Sequence, residues 1–182
     1  MPTIQQIRWS GFGGQGVVLA GVVLGQAGVI DGKNVSTSNS YGVAARGAAC
    51  KSEIIFSGGP IDFPHLLTAD IFVAMSQGAY NTYCRDVRPD SGLILYDEGL
   101  VTPQMDLKVE QVGISATETT VRKFKEKQVV NIVLLGALAE LTGLVSPQAL
   151  RKAILIHVSK PFQALNSKAL SLGRQLGGRI HG

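Results

Sequence analysis

Near the start of the chain, Gly11-Phe12-Gly13-Gly14-Gln15-Gly16 places glycines at the spacing GxGxxG. Glycine lets a backbone turn tightly and approach a ligand closely. Where such a loop joins a strand to a helix, the free N–H groups of the first helical turn and the positive end of the helix dipole favour a phosphate or carboxylate. The chemistry on offer is anion binding, with Gly11, Gly13, Gly14, Gln15 and Gly16 as candidate cofactor-binding residues. A Walker-type site is excluded, because no Gly-Lys-Ser/Thr follows. The dinucleotide version of the loop also needs an acid at the end of the second strand to hold a ribose. Here that strand closes on Ser36-Thr37-Ser38-Asn39-Ser40, and Asp31 falls in the turn before it. NAD and FAD are therefore disfavoured.

A second group, Asn39-Ser40-Tyr41-Gly42-Val43-Ala44-Ala45-Arg46-Gly47, follows the second strand. In doubly wound sheets this edge is where ligands bind. Ser40 and Tyr41 offer hydroxyls, and Arg46 offers a fixed cationic fork that suits phosphate or carboxylate. These three join the candidate binding set.

Other reactive groups promise less. His65 follows Phe63-Pro64 on a short turn and His157 lies in an apolar helix, read as a surface and a core histidine. Neither has a Ser, Cys or Asp at triad spacing. Asp97-Glu98 end a strand at the ligand edge, where paired carboxylates could transfer protons, but an ordinary loop explains them as well. Cys50 and Cys84 are far apart with no CxxC, so this chain alone builds neither an iron–sulfur nor a zinc site. They read as buried thiols of a cytoplasmic protein, since Met-Pro-Thr-Ile-Gln-Gln lacks the basic start of a signal peptide. We expect no catalytic residue and no metal site. Arg122-Lys-Phe-Lys-Glu-Lys127 reads as a solvated helix end or a docking site for an acidic subunit or ferredoxin. Nucleic acid is not indicated: there is one Trp and no recognised binding module.

The elements that must position these groups alternate. Strands are expected over Ile4–Ser10, Asn34–Ser38, Ala49–Ser57, Asp70–Met75, Leu93–Tyr96 and Leu107–Ile114. A helix is expected over Val17–Ile30, and another from Gln77 to Val87. Phe12–Ile30 carries no charge, yet its glycine cluster, Gln15 and Gln26 favour a buried strand–loop–helix unit over a membrane span. The rest reads as helical. Ser115-Ala-Thr-Glu118 has capping-box spacing, Val129–Leu141 is apolar, and Ser146-Pro147 starts a helix to Val158. A last helix from Pro161 is expected to stop at Gly173, leaving residues 173–182 as a flexible tail. The expected fold is α/β and Rossmann-like: a mostly parallel sheet flanked by helices with a helical C-terminal portion, one domain over residues 1–182.

Charged residues are 16% of the 182, against about 25% in an average globular protein. Eight of the 22 glycines lie between Gly11 and Gly32, and from Trp9 to Ala45 the only charges are Asp31 and Lys33. A surface so short of charge is expected to face a ligand or a neighbouring chain.

Together, GFGGQGVVLAG, SYG…ARG, Ile61-Asp62-x-Pro64 and DIFVAMSQGAY resemble the gamma subunit of 2-oxoacid:ferredoxin oxidoreductases. Asn131…Gly136-Ala137 and Asn166-Ser-Lys-Ala169-Leu…Gly173 fit as well, so the resemblance covers nearly the whole chain. The 2-oxoglutarate (2-ketoglutarate) type is nearest; the pyruvate/ketoisovalerate and indolepyruvate types share the domain. The resemblance implies a multi-subunit enzyme that oxidatively decarboxylates a 2-oxoacid with coenzyme A, giving acyl-CoA, CO2 and reduced ferredoxin. It places thiamine diphosphate and magnesium on alpha and beta subunits, and iron–sulfur clusters on beta or a delta chain. It gives the gamma chain a place beside the active site and a share in holding coenzyme A. This chain departs from the family where Val43-Ala44 stands for Pro-Glu and Ala48 for a second glycine. Two other readings are a stand-alone nucleotide-binding oxidoreductase and a non-enzymatic anion-binding scaffold.

Overall fold

The computed structural model describes residues 4–41 and 49–180. Six strands form one sheet: β1 (Ile4–Phe12), β2 (Asn34–Tyr41), β3 (Ala49–Ser57), β4 (Ile71–Ala74), β5 (Leu93–Asp97) and β6 (Glu110–Ile114), in the order β2-β3-β1-β4-β5-β6. The β1–β4, β4–β5 and β5–β6 pairs are parallel, and β1–β3 and β2–β3 are antiparallel. The sheet is thus mixed. The short residue 42–48 connection makes β2 and β3 a hairpin, which only antiparallel strands can form.

Helix α1 (Val17–Ile30) and helices α4 (Val130–Thr142), α5 (Pro147–His157) and α6 (Lys160–Gly178) belong to the core on one face of the sheet. Ile7, Trp9, Ile54, Phe56 and Leu95 meet them there. On the other face, α2 (Gln77–Tyr83) and a single 3-10 turn (Cys84–Asp86) close a smaller core over β4 and β5 around Phe72, Tyr80 and Ile94. On that second face, beside Tyr83, buried Arg8 of β1 meets Glu53 and Asp86, each at 3.0 Å, and stacks on the Tyr83 ring. No described helix is long and apolar enough to cross a membrane.

Three expectations change. Helix α6 does not stop at Gly173 but runs to Gly178, so residues 173–178 are helix rather than tail. A Cβ at Gly173 would lie 1.9 Å from the Val133 carbonyl oxygen. Gly173 is there because α4 and α6 touch backbone to backbone, not because a helix ends. Helix α3 (Ala116–Phe124) lacks the Ser115–Glu118 capping box. Instead buried Asp97 accepts from the Thr117 N–H at 3.0 Å and from its hydroxyl, while Ser115 Oγ donates to Glu98. His157 is exposed on the last turn of α5 beside Gln26 at 3.3 Å, not in the core. By contrast Ser146 does cap α5, accepting from the Ala149 N–H at 3.1 Å.

Candidate functional site

Strand β1 ends at Phe12 and the chain turns through Gly13 and Gly14 before α1 begins. Gly14 and Gly16 both hold positive φ, 95° and 74°. That conformation disfavours side chains, which is why glycine stands at both positions. Gly16 is the N-cap of α1, and no side chain caps the helix. Its first-turn N–H groups therefore keep their pull on an anion.

Side chains from distant elements fix this loop. Gln15 Oε1 accepts from the Phe12 N–H at 2.6 Å, and Gln15 Nε2 donates to the Met75 carbonyl at 2.8 Å. Met75 is held in turn by the buried Trp9 indole, which donates to its sulfur at 3.1 Å. From α4, Asn131 Nδ2 donates to the Gly16 carbonyl at 3.0 Å. A Cβ on Gly16 would fall 2.4 Å from that nitrogen. Asn131 Oδ1 is buried without a partner among the described residues.

The loop borders a crevice of about 300 Å3 where Gly14 and Gln15 face Met75, at the end of β4. Leu100, Thr117, Lys127, Gln128 and Val130 line the rest of it. Strand β1 leads into α1 and β2 on one side, while the chain after β4 moves to the other, so the crevice sits at a topological switch point. Among the described residues, Lys127 is the only cation lining it.

The predicted binding residues divide by environment. Gly13 and Gly14 are exposed, and Gly14 lines the crevice. Gly11 is buried under Gln15 and Met75, and Gln15 spends its amide on the protein, so these two shape the loop. Ser40 and Tyr41 are exposed at the end of β2, on the same edge of the sheet. Strand β3 lies between them and β1, which puts them about 10 Å away at normal strand spacing. Arg46 lies outside the described residues. Thr117, Lys127 and Met75 were not singled out as ligand contacts from the sequence. Lys127 stands inside a basic run and Met75 inside DIFVAMSQGAY, but neither pattern marks a ligand contact, and Thr117 carries no motif.

Asp31, weighed above as a ribose acid, closes the far end of α1, about 20 Å from the glycine loop at helical rise. There it accepts from the Ser146 N–H at 2.6 Å and the Ser146 hydroxyl at 2.7 Å. Asp97 accepts from the Gly99 N–H at 3.1 Å as well as from Thr117, so it orders the crevice wall. Cys50 belongs to the core on the α1 face and Cys84 to the core on the opposite face, so the two thiols cannot ligate one cluster. Burial pushes both thiols up from their ordinary value. Among the described residues no three of His, Cys, Asp and Glu converge as a metal site would require.

Residues 6–176 match the family described as pyruvate ferredoxin/flavodoxin oxidoreductase. The chain is 42% identical over 177 residues to the 2-oxoglutarate synthase subunit KorC of Methanocaldococcus jannaschii, covering 94% of this chain and 93% of that protein. It superimposes with a TM-score of 0.85 and 38% identity on the gamma subunit of a keto/oxoacid ferredoxin oxidoreductase from Geobacter sulfurreducens, covering 96% and 99% of the two chains. The same fold, at a TM-score of 0.85 and 23% identity, makes up 31% of a chain of the 2-oxoglutarate:ferredoxin oxidoreductase of Magnetococcus marinus, solved with 2-oxoglutarate, coenzyme A and succinyl-CoA bound. The chain belongs to the pyruvate ferredoxin/flavodoxin oxidoreductase family, as a gamma-type subunit of its multi-subunit enzymes.

Proposed function

We infer that this chain is the gamma subunit of an enzyme that oxidatively decarboxylates 2-oxoglutarate with coenzyme A, passing electrons to ferredoxin. The observation that carries the reading is the end-to-end match to a 2-oxoglutarate synthase subunit of nearly the same length. Thiamine diphosphate, magnesium and iron–sulfur clusters belong on the alpha, beta and delta partners, which suits a chain whose two thiols lie on opposite faces of its sheet. A cytoplasmic setting suits two free, buried cysteines.

The chain's own share is to hold coenzyme A against the partner subunits. An uncapped helix start, exposed Gly13 and Gly14, and Lys127 fit a phosphate group. A crevice of about 300 Å3 takes only part of coenzyme A, so the remainder rests on a neighbouring chain. Arg46, with Ser40 and Tyr41, supplies a further anion contact from the β2–β3 hairpin. The bound coenzyme A in the Magnetococcus enzyme supports this choice of ligand.

Thermal unfolding of the chain with coenzyme A or NAD tests the ligand assignment. Coenzyme A raises Tm with concentration, as a ligand of the folded state must, and NAD does not. Stabilisation by NAD without coenzyme A would return the site to a nucleotide-binding oxidoreductase.

A further inference from the structure

The chain divides electrostatically into two unlike parts. Residues 1–114 carry seven Lys and Arg against ten Asp and Glu, while residues 115–182 carry ten against three. One of those three late acids, Glu140, is paired with Arg174 at 2.8 Å. Much of the excess positive charge lies along two adjoining hollows between α3, α5 and α6. The first, about 480 Å3, is lined by Lys123, Arg151 and Lys168 with the hydroxyls of Ser167 and Ser171. The second, about 320 Å3, adds Arg122 and Arg179. Lys123, Leu172 and Gln175 belong to both, so the hollows form one groove. Phe124, Leu172 and Leu176 give it an apolar floor.

Among the described residues, no carboxylate lines either hollow. None of the five cations lies within 4.0 Å of an acid among the described residues. Arg8, Lys51, Arg85 and Arg88, in the first part of the chain, are each ion-paired. Clustered, unpaired cations repel one another, so the groove gains most from an occupant that brings negative charge.

The shape says which kind of anion. From Ser167 to Arg179 the groove follows α6 for about 18 Å at 1.5 Å per residue. Three cations line the first hollow and two more the second, so the positive charge covers both hollows, an extent that a single compact phosphate would not fill. An apolar floor between charged walls is the anatomy of a protein interface.

We propose that this groove receives an acidic segment, about 18 Å long, of a partner subunit of the same enzyme. The proposal rests on the subunit reading above. It names a docking face separate from the glycine-loop crevice, which shares none of these lining residues.

The test uses the intact complex, purified with this chain carrying the photo-crosslinking residue p-benzoylphenylalanine in place of Gln175. Peptide mass spectrometry after irradiation should find the cross-link in an Asp/Glu-rich segment of another subunit. The triple variant K123E/R151E/K168E should bind the partners at least tenfold more weakly. Its isolated Tm should stay near that of the parent, because all three side chains are exposed. Raising salt from about 50 to about 500 mM should weaken the parent complex and leave the variant largely unchanged, since surface charges are then screened within a few Å. If the variant unfolds, the cross-link in the Q175 protein still decides the question. A cross-link to a segment without acidic residues, or none in an assembled complex, overturns the proposal. So does stabilisation of the isolated chain by inorganic pyrophosphate that the triple variant abolishes, which would make the groove a small-anion site. Failure of the chain to enter any complex would instead overturn the subunit reading, and the docking face with it.

Discussion

Replacing Gly16 by alanine probes the packing that holds the anion loop open. Gly16 sits at φ 74°, where a residue with a Cβ costs about 1–2 kcal/mol. The new Cβ would also fall 2.4 Å from Asn131 Nδ2, so Asn131 must move and release the Gly16 carbonyl. Losing that hydrogen bond and leaving buried polar groups unpaired adds about 1–3 kcal/mol. The total is about 3 kcal/mol. Gly14 is the control: φ is 95°, but a Cβ there meets nothing within 4 Å. G14A should cost only the backbone strain, about 1–2 kcal/mol. Urea unfolding of the isolated chain measures both. With a slope of about 2 kcal/mol/M, G16A lowers the midpoint by about 1.5 M and G14A by about half as much. In an N131A background the clash is gone, and G16A should cost no more than G14A. Equal costs for G16A and G14A in the parent chain, or a G16A cost unchanged by N131A, would refute the reasoning.

Further expectations concern the ligand, the thiols and the helix pair. R46A should raise the coenzyme A KM of the assembled enzyme by about tenfold, roughly the loss of one charge-assisted contact, with little change in the 2-oxoacid KM; steady-state kinetics in coenzyme A decide it, and an unchanged KM removes Arg46 from the site. Burial raises the Cys50 and Cys84 thiols above their ordinary value of 9.0, so the unfolded chain ionises first. Stability should therefore stay level below that value and fall as pH rises through it. A C50A/C84A variant should show a shallower alkaline fall by urea titration at stepped pH, the phenols of buried Tyr80 and half-buried Tyr96, also raised, supplying what remains. G173A forces a methyl into the Val133 carbonyl and should cost at least about 3 kcal/mol in the same unfolding assay, within the range of severe overpacking.

The anion loop, the first βα unit and the Ser146-Pro147 helix start were legible because each is written locally, in residues a few positions apart. The sheet's direction of pairing was not. Period-two patterning marks a strand but carries no sign of whether its neighbour runs with it, so the antiparallel β3 between β1 and β2 did not show. Gly173 carries a related ambiguity. A glycine that ends a helix and one that lets two helices touch look alike until Val133 is known to lie against it. Capping by Asp97 instead of Glu118 is a contact across 20 positions and was likewise hidden. The crevice draws Gln15, Met75, Thr117 and Lys127 from four separate stretches; the glycine stretch and DIFVAMSQGAY carry motifs, but neither shows that Met75 faces Thr117 and Lys127. Asp31 lay near the offset of a ribose acid, and the structure shows why that offset misleads: the residue is committed to Ser146.

The central claim is that this chain is a working part of a 2-oxoacid:ferredoxin oxidoreductase. Anaerobic affinity purification of the tagged chain from its native host, followed by native mass spectrometry and a viologen-reduction assay, tests it most directly. The account predicts a stoichiometric complex with thiamine- and cluster-bearing subunits, which reduces viologen only when 2-oxoglutarate and coenzyme A are both present. Recovery of the chain alone, or of a complex without that activity, would contradict it.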